Sequence, residues 1–332
     1  MALKAIIDTD PGIDDAMAIA FAHLHPEIEI LGVTTVFGNA GIDGVTRNAL
    51  RLKALLGFGA PVAQGAALAL LRPAGPPPAH VHGEDGMGDA ATPLHSLSDL
   101  DPRPAHRMIA DIVHANPGEV TLICLGRLTN LALALLHEPD LWRYVRQVVV
   151  MGGAFGLAHG VGNVTPVAEA NVIGDPHAAA RVFAAPWPVT VVGLDVTRQV
   201  RLDLEDFARL AADGGAVGLF LSGIAPVYTG FHRRFGLDGC YVHDSSAVIC
   251  AVAPDLFTLR PGPIAVALDG PAVGQTIQRP ADTPYPPLDW DALPVQNVAV
   301  GVDAAAVRTL LLKTLVSLPD GGDSQKANTP KA

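Results

Sequence analysis

The sequence predicts an α/β fold: a Rossmann-like open sheet, mostly parallel, with helices on both faces and a ligand site at the carboxyl ends of the strands. Three observations predict it. The 332 residues are 49% hydrophobic and 17% charged, which is typical of a large buried core. Short apolar β-type runs alternate with helical patterns along the chain. The apolar runs are nearly continuous, as in strands buried on both faces, and such sheets bind ligands beyond the carboxyl ends of their strands.

Five strands and four helices can be placed in order along the chain. Strands are predicted at "LKAIID", "IEILGVTTVFG", "EVTLICLG", "RQVVVMGG" and "VTVVGLDVT". Helices are predicted from about Asp14 and over "TRNALRLKALLG", "LTNLALALLHE" and "DPHAAARVFA". Polar or glycine-rich groups follow several strands, among them Asn39, Leu125 and Met151. We therefore expect these groups to meet at one edge of the sheet.

The chain shows no internal repeat and no linker that divides it, so we expect a single α/β domain over residues 1–318. The Pro-rich stretches 72–79 and 280–294 are typical of loops. The last residues, 319–332, read "PDGGDSQKANTPKA", a polar composition that predicts a disordered tail.

Net charge and cysteine content limit which partners and which cellular compartment can be expected. The net charge is −11 and no basic cluster occurs, which argues against nucleic acid as a partner. The three cysteines, Cys124, Cys240 and Cys250, contain no C-x-x-C pair, so a disulfide framework is not expected and a reducing compartment is favoured. No run approaches the ~18 apolar residues of a membrane span. We therefore expect a cytoplasmic protein without a membrane partner.

Four aspartates stand within eight positions of the string "IIDTDPGIDDAMAI", between two apolar runs. Pro11 and Gly12 predict a turn after the first strand, which can bring Asp15 back beside Asp10. Convergent carboxylates without thiols or a histidine pair suit Ca²⁺ or Mg²⁺, which would neutralise their repulsion. An alternative is that Asp14 and Asp15 are only favourable negative charges in the first turn of a helix. That alternative leaves Asp8 and Asp10 unexplained.

Residue patterns near Asp8 leave alternatives open. "DTD" after a strand resembles the opening motif of haloacid-dehalogenase-type phosphatases, in which Asp8 would be the nucleophile. That motif continues with Thr or Val, whereas this chain continues with "PGIDD". A non-catalytic nucleoside- or ribose-binding protein with a structural Ca²⁺ is a third interpretation.

The full string "DTDPGIDDAMAI" resembles the N-terminal signature of the inosine–uridine-preferring nucleoside hydrolase family. Further blocks are similar in the same order: "TTVFGNAG", "LGRLTNLA", "VVVMGGA", "GNVTPVAEAN", "LDGCYVHDSSAV" and "NVAVGVDAAAVRTLLL". The resemblance covers about residues 3–316. It implies a Ca²⁺-dependent hydrolase that cleaves the N-glycosidic bond of ribonucleosides to free base and ribose, and that forms a homodimer or homotetramer.

The resemblance also implies roles for individual residues. The Ca²⁺ ligands would be the carboxylates of Asp10, Asp15 and Asp244 and the carbonyl of Leu125, with Asp244 also near the substrate. Asp10 would be the general base toward the attacking water, because a metal makes water more acidic and a carboxylate can take its proton. Asp8 would support this set. The residues expected to bind ribose are Asp14, Asn39, Met151 through its backbone, Asn163, Glu169 and Asn171.

Two histidines are expected near the nucleobase by the same resemblance. His243 would assist departure of the leaving group, and His82 would lie close to the base. Tyr228 would either flank the base or pack in the core, and His232 is expected to be solvated.

Three features depart from the family pattern. Ala170 stands where many relatives have Phe, and Arg127 replaces a small residue or proline. The segment "GPAVGQTIQRP" lacks the common "TRGQTVVD" pattern. These departures leave the choice between purine and pyrimidine bases open.

Overall fold

One eight-stranded sheet forms the centre of the fold in a computed structural model that describes residues 2–73, 75–90, 96–157, 161–286 and 289–316. Its strands, in spatial order, are β3 (Val62–Gln64), β2 (Ile28–Thr35), β1 (Leu3–Thr9), β4 (Val120–Cys124), β5 (Val145–Met151), β6 (Val189–Val192), β12 (Gln296–Val302) and β9 (Phe257–Gly262). Every neighbouring pair is parallel except β12 and β9. The predicted mostly parallel sheet is confirmed.

Two small antiparallel pairs lie outside this sheet. They are β7 (Arg201–Leu202) with β8 (Cys240–Tyr241), and β10 (Ile264–Val266) with β11 (Thr276–Gln278). β11 lies within the segment "GPAVGQTIQRP", so three residues of this departure from the family pattern form a strand.

The helices pack on both faces of the large sheet. They are α1 (Ile13–Leu24), α2 (Ile42–Leu56), α3 (Ala79–His82), α4 (Ala105–Ala115), α5 (Thr129–His137), α6 (Ala170–Gly174), α7 (Pro176–Ala184), α8 (Leu194–Thr197), α9 (Leu204–Asp213), α10 (Gly215–Arg233), α11 (His243–Val252) and α12 (Ala304–Val316). Among the helices described, none combines the length and the apolar composition that a membrane crossing requires.

Successive residues of β1 enter two different apolar cores. Ile6 packs with buried residues of α4, α5 and α7, whereas Ile7 packs with those of α1, α10, α11 and α12. This alternation follows from the two-residue period of a strand. Because both faces are covered, the strands are apolar along almost their whole length, which is the pattern that predicted them.

The predicted strand "VTVVGLDVT" is wrong in its second half. β6 ends at Val192, and α8 begins two residues later. The Gly193 carbonyl accepts hydrogen bonds from the backbone of Val196 and Thr197, each at 3.1 Å, which closes a helical turn. The prediction of a single domain over 1–318 stays a prediction, and the predicted tail, 319–332, lies outside the described residues.

Candidate active site

Polar residues gather where β1, β2, β4 and β5 end, because parallel strands present their carboxyl ends at one edge. Asp10 follows β1, Asn39 lies beyond β2, Leu125 follows β4, and Met151 ends β5. The Asn171 side chain joins two of these ends, since its Nδ2 donates to the carbonyls of Leu125 at 2.7 Å and Met151 at 3.2 Å. The predicted edge thus brings together groups from distant parts of the chain.

The Pro11–Gly12 turn delivers the aspartates of α1 to this edge. Gly12 precedes the first helical residue, and its N–H donates to Asp15 Oδ2 at 2.9 Å. A Cβ at Gly12 would lie 2.6 Å from Asn39 Nδ2 and 2.7 Å from His82 Nδ1. Only glycine allows the loop after β2 and the short helix α3 to approach the turn this closely.

Hydrogen bonds fix the carboxylate of Asp15. The Thr9 hydroxyl donates to its Oδ1, and Asn39 Nδ2 donates to its Oδ2 at 3.1 Å. Asn39 also holds Asp10, since its backbone N–H donates to Asp10 Oδ2 at 2.9 Å and its Nδ2 to the Asp10 carbonyl at 3.1 Å. Asn39 therefore couples the end of β1 to the first turn of α1.

Three buried carboxylates form a group that could hold a metal ion. Asp14, Asp15 and Asp244 each offer an oxygen within 4.8 Å of the others. Asp244 is the second residue of α11, so two helix starts meet here. An all-oxygen, all-carboxylate donor set fits a hard divalent cation such as Ca²⁺.

Burial and mutual repulsion raise the pKa values of these aspartates. Burial raises the pKa of Asp14 to about 6. Burial also raises the pKa of Asp244 well above its usual range, and the charges of Asp14, Asp15 and Asp10 raise it further. Burial and then Asp15 likewise raise the pKa of Asp10, against the opposing charge of Arg127. Negative charges that crowd in this way are relieved by a bound cation.

The observed group differs from the predicted ligand set. It contains Asp14 and not Asp10, although Asp10 is close enough to Asp244 for its charge to matter. The Leu125 carbonyl already accepts the hydrogen bond from Asn171, which leaves it one further lone pair. Metal ligation by Asp10 and Leu125 stays a prediction.

Asp8 is enclosed between β1, β2 and α5. Its Oδ1 accepts from the Thr34 hydroxyl at 2.6 Å and from Asn130 Nδ2 at 2.7 Å, and the residue is 1% exposed. Burial raises its pKa to about 7 despite these two hydrogen bonds. A carboxylate so enclosed supports the strand ends, and the geometry gives no support to a nucleophile that must reach phosphorus.

Glu169 and Asn163 both accept hydrogen bonds from the first turn of α6. Glu169 caps the helix, and its carboxylate accepts from the backbone of Asn171, Val172 and Gly153 at 2.8–3.1 Å. Burial raises the pKa of Glu169. Asn163 is exposed, and its Oδ1 accepts from the backbone of Ala170 at 2.9 Å. Of these two predicted ribose ligands, only Glu169 is buried beside the strand ends.

His82 and Tyr228 stack on each other next to the aspartates. Their ring centroids are 5.2 Å apart at 24°, and the backbone N–H of Ile13 donates to His82 Nδ1 at 3.3 Å. The Tyr228 hydroxyl donates to Asp14 Oδ2 at 3.2 Å. Tyr228 is therefore buried and also bound to a site carboxylate.

His243 begins α11 and lies directly before Asp244. Its Nδ1 is hydrogen-bonded to the Thr197 hydroxyl at 2.7 Å. Burial lowers its pKa to about 3, and burial lowers the pKa of His82 to about 4. Both rings are therefore neutral near pH 7.

His232 was expected in solvent, and that expectation is wrong. It lies in α10 with 6% exposure, and its ring contacts Tyr228 and Tyr241 edge-on with centroids 4.5 and 5.2 Å apart. Tyr241 in turn contacts His243 at 5.5 Å. Residue patterns do not predict this run of rings, because its members come from α3, α10, β8 and α11.

The chain is similar in sequence to proteins of one known family. Residues 5–309 match the family described as inosine-uridine preferring nucleoside hydrolase. The chain is 42% identical over 276 residues to uridine nucleosidase 1 of Arabidopsis thaliana, covering 82% of this chain and 81% of that protein. It is 42% identical over 270 residues to the non-specific ribonucleoside hydrolase RihC of Escherichia coli, covering 81% and 86%.

A solved structure shares the whole architecture. The plant nucleoside hydrolase PpNRh1 superposes with a TM-score of 0.89 at 36% identity, covering 96% of this chain and 100% of that chain. The family match, the sequence relatives and this structure are all described as nucleoside hydrolases or nucleosidases. The chain therefore belongs to the inosine–uridine preferring nucleoside hydrolase family and is a nucleoside hydrolase.

Proposed function

We propose that this enzyme hydrolyses the N-glycosidic bond of ribonucleosides to free base and ribose, with a divalent cation, Ca²⁺, in the site and Asp10 as general base. The observation that carries the proposal is the buried group of Asp14, Asp15 and Asp244 beside Asp10, within a chain that matches the family over residues 5–309. The identity of the ion and the role of each residue belong to this proposal.

The donor set supports a hard cation. The residues that would hold it are Asp10, Asp15 and Asp244 with the Leu125 carbonyl, and Asp14 lies in the same carboxylate group. When bound, a divalent cation neutralises the carboxylates and makes a nearby water more acidic. Oxygen ligands without sulfur or imidazole favour Ca²⁺ or Mg²⁺ over zinc, and the family resemblance favours Ca²⁺.

Asp10 is suited to take a proton from the attacking water. Its Oδ2 is held by the Asn39 backbone N–H, while Oδ1 lies beside Gly126, where an added Cβ would be 2.5 Å away. Fixing one oxygen orients the other, which a general base requires because proton transfer depends on geometry first. Water that loses its proton to Asp10 attacks the anomeric carbon and displaces the base.

Amides and carboxylates around the strand ends support ribose binding. A diol both donates and accepts, so alternating amide and carboxylate groups match it. Their negative charge also stabilises the oxocarbenium character that develops as the glycosidic bond breaks. The proposed contacts are Asp14, Asn39, Met151 through its backbone, Asn163, Glu169, Asn171 and Asp244.

His243 is proposed to assist the leaving base as a neutral ring. Because burial lowers its pKa to about 3, the imidazolium is scarce at neutral pH. A neutral imidazole still offers one N–H, and the hydrogen bond to Thr197 sets the ring orientation. His82, stacked on Tyr228, is proposed to border the base.

A substrate panel tests the function. Purified protein with Ca²⁺ is incubated with uridine, cytidine and inosine, and released reducing sugar is measured. We expect ribose from uridine, in line with the Arabidopsis uridine nucleosidase and the non-specific RihC. No sugar from any nucleoside would overturn the proposal. Phosphate release from a nucleotide that is lost in Asp8→Asn would instead support the phosphatase alternative, and tight ribose binding without turnover would support a binding protein.

We also propose a homodimer or homotetramer in the cytoplasm. The three cysteines are buried free thiols, which is in keeping with a reducing compartment. Light scattering on the purified protein measures the assembly mass, and a monomer would contradict the proposed oligomer.

A further inference from the structure

We propose that Arg127 is a positioning residue for Asp10: its guanidinium holds the Oδ2 edge of the carboxylate, so that Oδ1 is the oxygen left to accept a proton. This inference deepens the proposed function and rests on it for the role of Asp10. Arg127 follows Leu125 by two residues, at the carboxyl end of β4.

Three contacts locate the guanidinium. Nη1 donates to the Phe37 carbonyl at 2.8 Å, and the guanidinium carbon lies 4.6 Å from the centroid of the Phe37 ring. Nη1 also lies 3.5 Å from Asp10 Oδ2, an ion-pair distance. The planar group is thus fixed by a carbonyl and an aromatic face, and it presents its charge to one oxygen of Asp10.

The two oxygens of Asp10 are in different environments. Oδ2 receives the Asn39 backbone N–H at 2.9 Å as well as the ion pair with Arg127. Oδ1 receives no hydrogen bond from the residues that the structure describes, and it lies beside Gly126. The carboxylate is therefore pinned on one side and available on the other.

Two glycines leave the space that this pairing needs. A Cβ at Gly38 would overlap both Asp10 Oδ2 and Arg127 Nη1. A Cβ at Gly174, the last residue of α6, would overlap Arg127 Nε and lie 2.8 Å from its Cδ. The loop after β2 and the end of α6 both accommodate the arginine, so its position is enforced from two sides.

The described residues do not use all the hydrogen-bond donors of the arginine. Its side chain is 13% exposed, and its Nε is buried without an acceptor among the described residues. A buried donor left unpaired is costly and calls for an explanation. The charges of Asp10, Glu169 and Asp175 act on the guanidinium, which explains why a cation is tolerated in this position.

Because Arg127 carries a positive charge beside Asp10, its removal can distinguish two roles. The arginine either positions Asp10 or holds the whole site together. Removing it cannot weaken the electrostatic attraction of the carboxylates for Ca²⁺, because like charges repel. If Arg127 merely held the site together, its loss would weaken Ca²⁺ binding and catalysis together. If it positions Asp10, catalysis falls while Ca²⁺ binding is unchanged or tighter.

The experiment measures uridine hydrolysis, Ca²⁺ affinity by calorimetry on metal-free protein, and thermal unfolding for wild type, Arg127→Met and Arg127→Lys. We expect Arg127→Met to lower kcat at least tenfold, with KM changed less than threefold and the Kd for Ca²⁺ not raised. Arg127→Lys keeps the charge but not the planar fork, so its kcat should lie between the two. A wild-type kcat in Arg127→Met, or a kcat loss matched by weaker Ca²⁺ binding, would overturn the proposal.

Gly174→Ala tests the same placement without changing the arginine. It should lower kcat as Arg127→Met does, and it should add no further loss in an Arg127→Ala background, where the overlapping side chain is gone. Gly223→Ala is the matched control, since a Cβ there meets nothing within 4 Å. Additive losses from Gly174→Ala and Arg127→Ala would contradict the shared mechanism.

A crystal structure of Arg127→Met tests positioning apart from activity, and so separates this inference from the proposed function. The Asp10 carboxylate should rotate or lose its single orientation, whereas an unchanged carboxylate would overturn the inference. Absence of nucleoside hydrolysis by the wild type would overturn the proposed function. The crystal structure of Arg127→Met would then still show whether Arg127 orients the Asp10 carboxylate.

Discussion

The side-chain amide of Asn39 donates to Oδ2 of Asp15 at 3.1 Å, while its backbone N–H donates to Asp10 Oδ2 at 2.9 Å. Asn39, in the loop after β2, therefore orients two carboxylates: that of Asp10, which follows β1, and that of Asp15, which lies in α1. A site built in this way depends on the loop as much as on the aspartates.

Replacing Asn39 by Ala should lower kcat/KM about 10- to 100-fold, because hydrogen bonds to charged groups contribute about 1.5–3 kcal/mol. Steady-state kinetics with uridine check this. Asn297→Ala is a matched control, because that residue is partly buried in β12, away from the site edge. An Asn39→Ala enzyme with wild-type kcat/KM would show that neither the Asp15 carboxylate nor the Asp10 carbonyl needs this side-chain amide.

Asp10→Asn should lower kcat about 10³-fold, because the amide keeps the shape but cannot take a proton. The metal-free variant should melt no lower than the wild type, since one of several crowded buried negative charges is removed. Stopped assays of uridine hydrolysis and thermal unfolding measure the two effects. Asp140→Asn, at an exposed surface position, is the control. Activity within tenfold of wild type would remove Asp10 from the role of base.

Gly12→Ala should lower both activity and stability. The added Cβ would lie 2.6 Å from Asn39 Nδ2 and 2.7 Å from His82 Nδ1, so the turn, the Asn39 loop or α3 must move. Gly41→Ala is its matched control, because a Cβ there meets nothing within 4 Å. Equal melting temperatures and rates for the two variants would mean that the close approach at Gly12 is not needed.

His232 should make stability depend on pH. Burial lowers its pKa in the folded protein, and Arg198 lowers it further. The unfolded chain, with a histidine pKa of about 6.5, takes up a proton that the folded chain does not, so this residue removes stability as pH falls below about 6.5. His232→Phe keeps a ring but does not titrate, so its melting temperature should fall less than that of wild type between pH 7 and pH 5. If the melting temperatures of wild type and His232→Phe fall equally with pH, His232 does not contribute to the pH dependence of stability.

Much of this arrangement could be predicted from residue patterns. Nearly continuous apolar runs identified β1, β2, β4, β5 and β6 but not the three-residue β3, and the Pro11–Gly12 turn indicated that Asp15 returns toward the end of β1. These features are local, or follow from the general rule that parallel strands end at one edge. The inclusion of Asp14 with Asp15 and Asp244 in one carboxylate group was not predicted, because it depends on how α1 meets α11.

Long-range packing decided what sequence patterns could not. His232 is buried because Tyr241, from β8, lies against its ring. Arg127 stood out only as a departure from a family pattern, since Phe37, its main partner, is 90 residues away. The segment "GLDVT", predicted as the second half of a strand, contains α8 because the Gly193 carbonyl accepts hydrogen bonds from the backbone N–H groups three and four residues later. For His232 and Arg127 the deciding contacts come from distant parts of the chain, whereas in α8 the local hydrogen bonds of a helical turn replace the expected strand.

Metal dependence is the sharpest test of the proposed hydrolytic mechanism. Protein freed of metal by chelation is titrated with Ca²⁺ while heat of binding, melting temperature and ribose release from uridine are followed. We expect one ion per chain and no hydrolysis before its addition. Hydrolysis should be restored in proportion to occupancy, and the free energy of unfolding should rise by about 2.7 kcal/mol when free Ca²⁺ is about 100 times its Kd. Full hydrolysis of uridine by the metal-free protein would rule out a mechanism that depends on the bound cation.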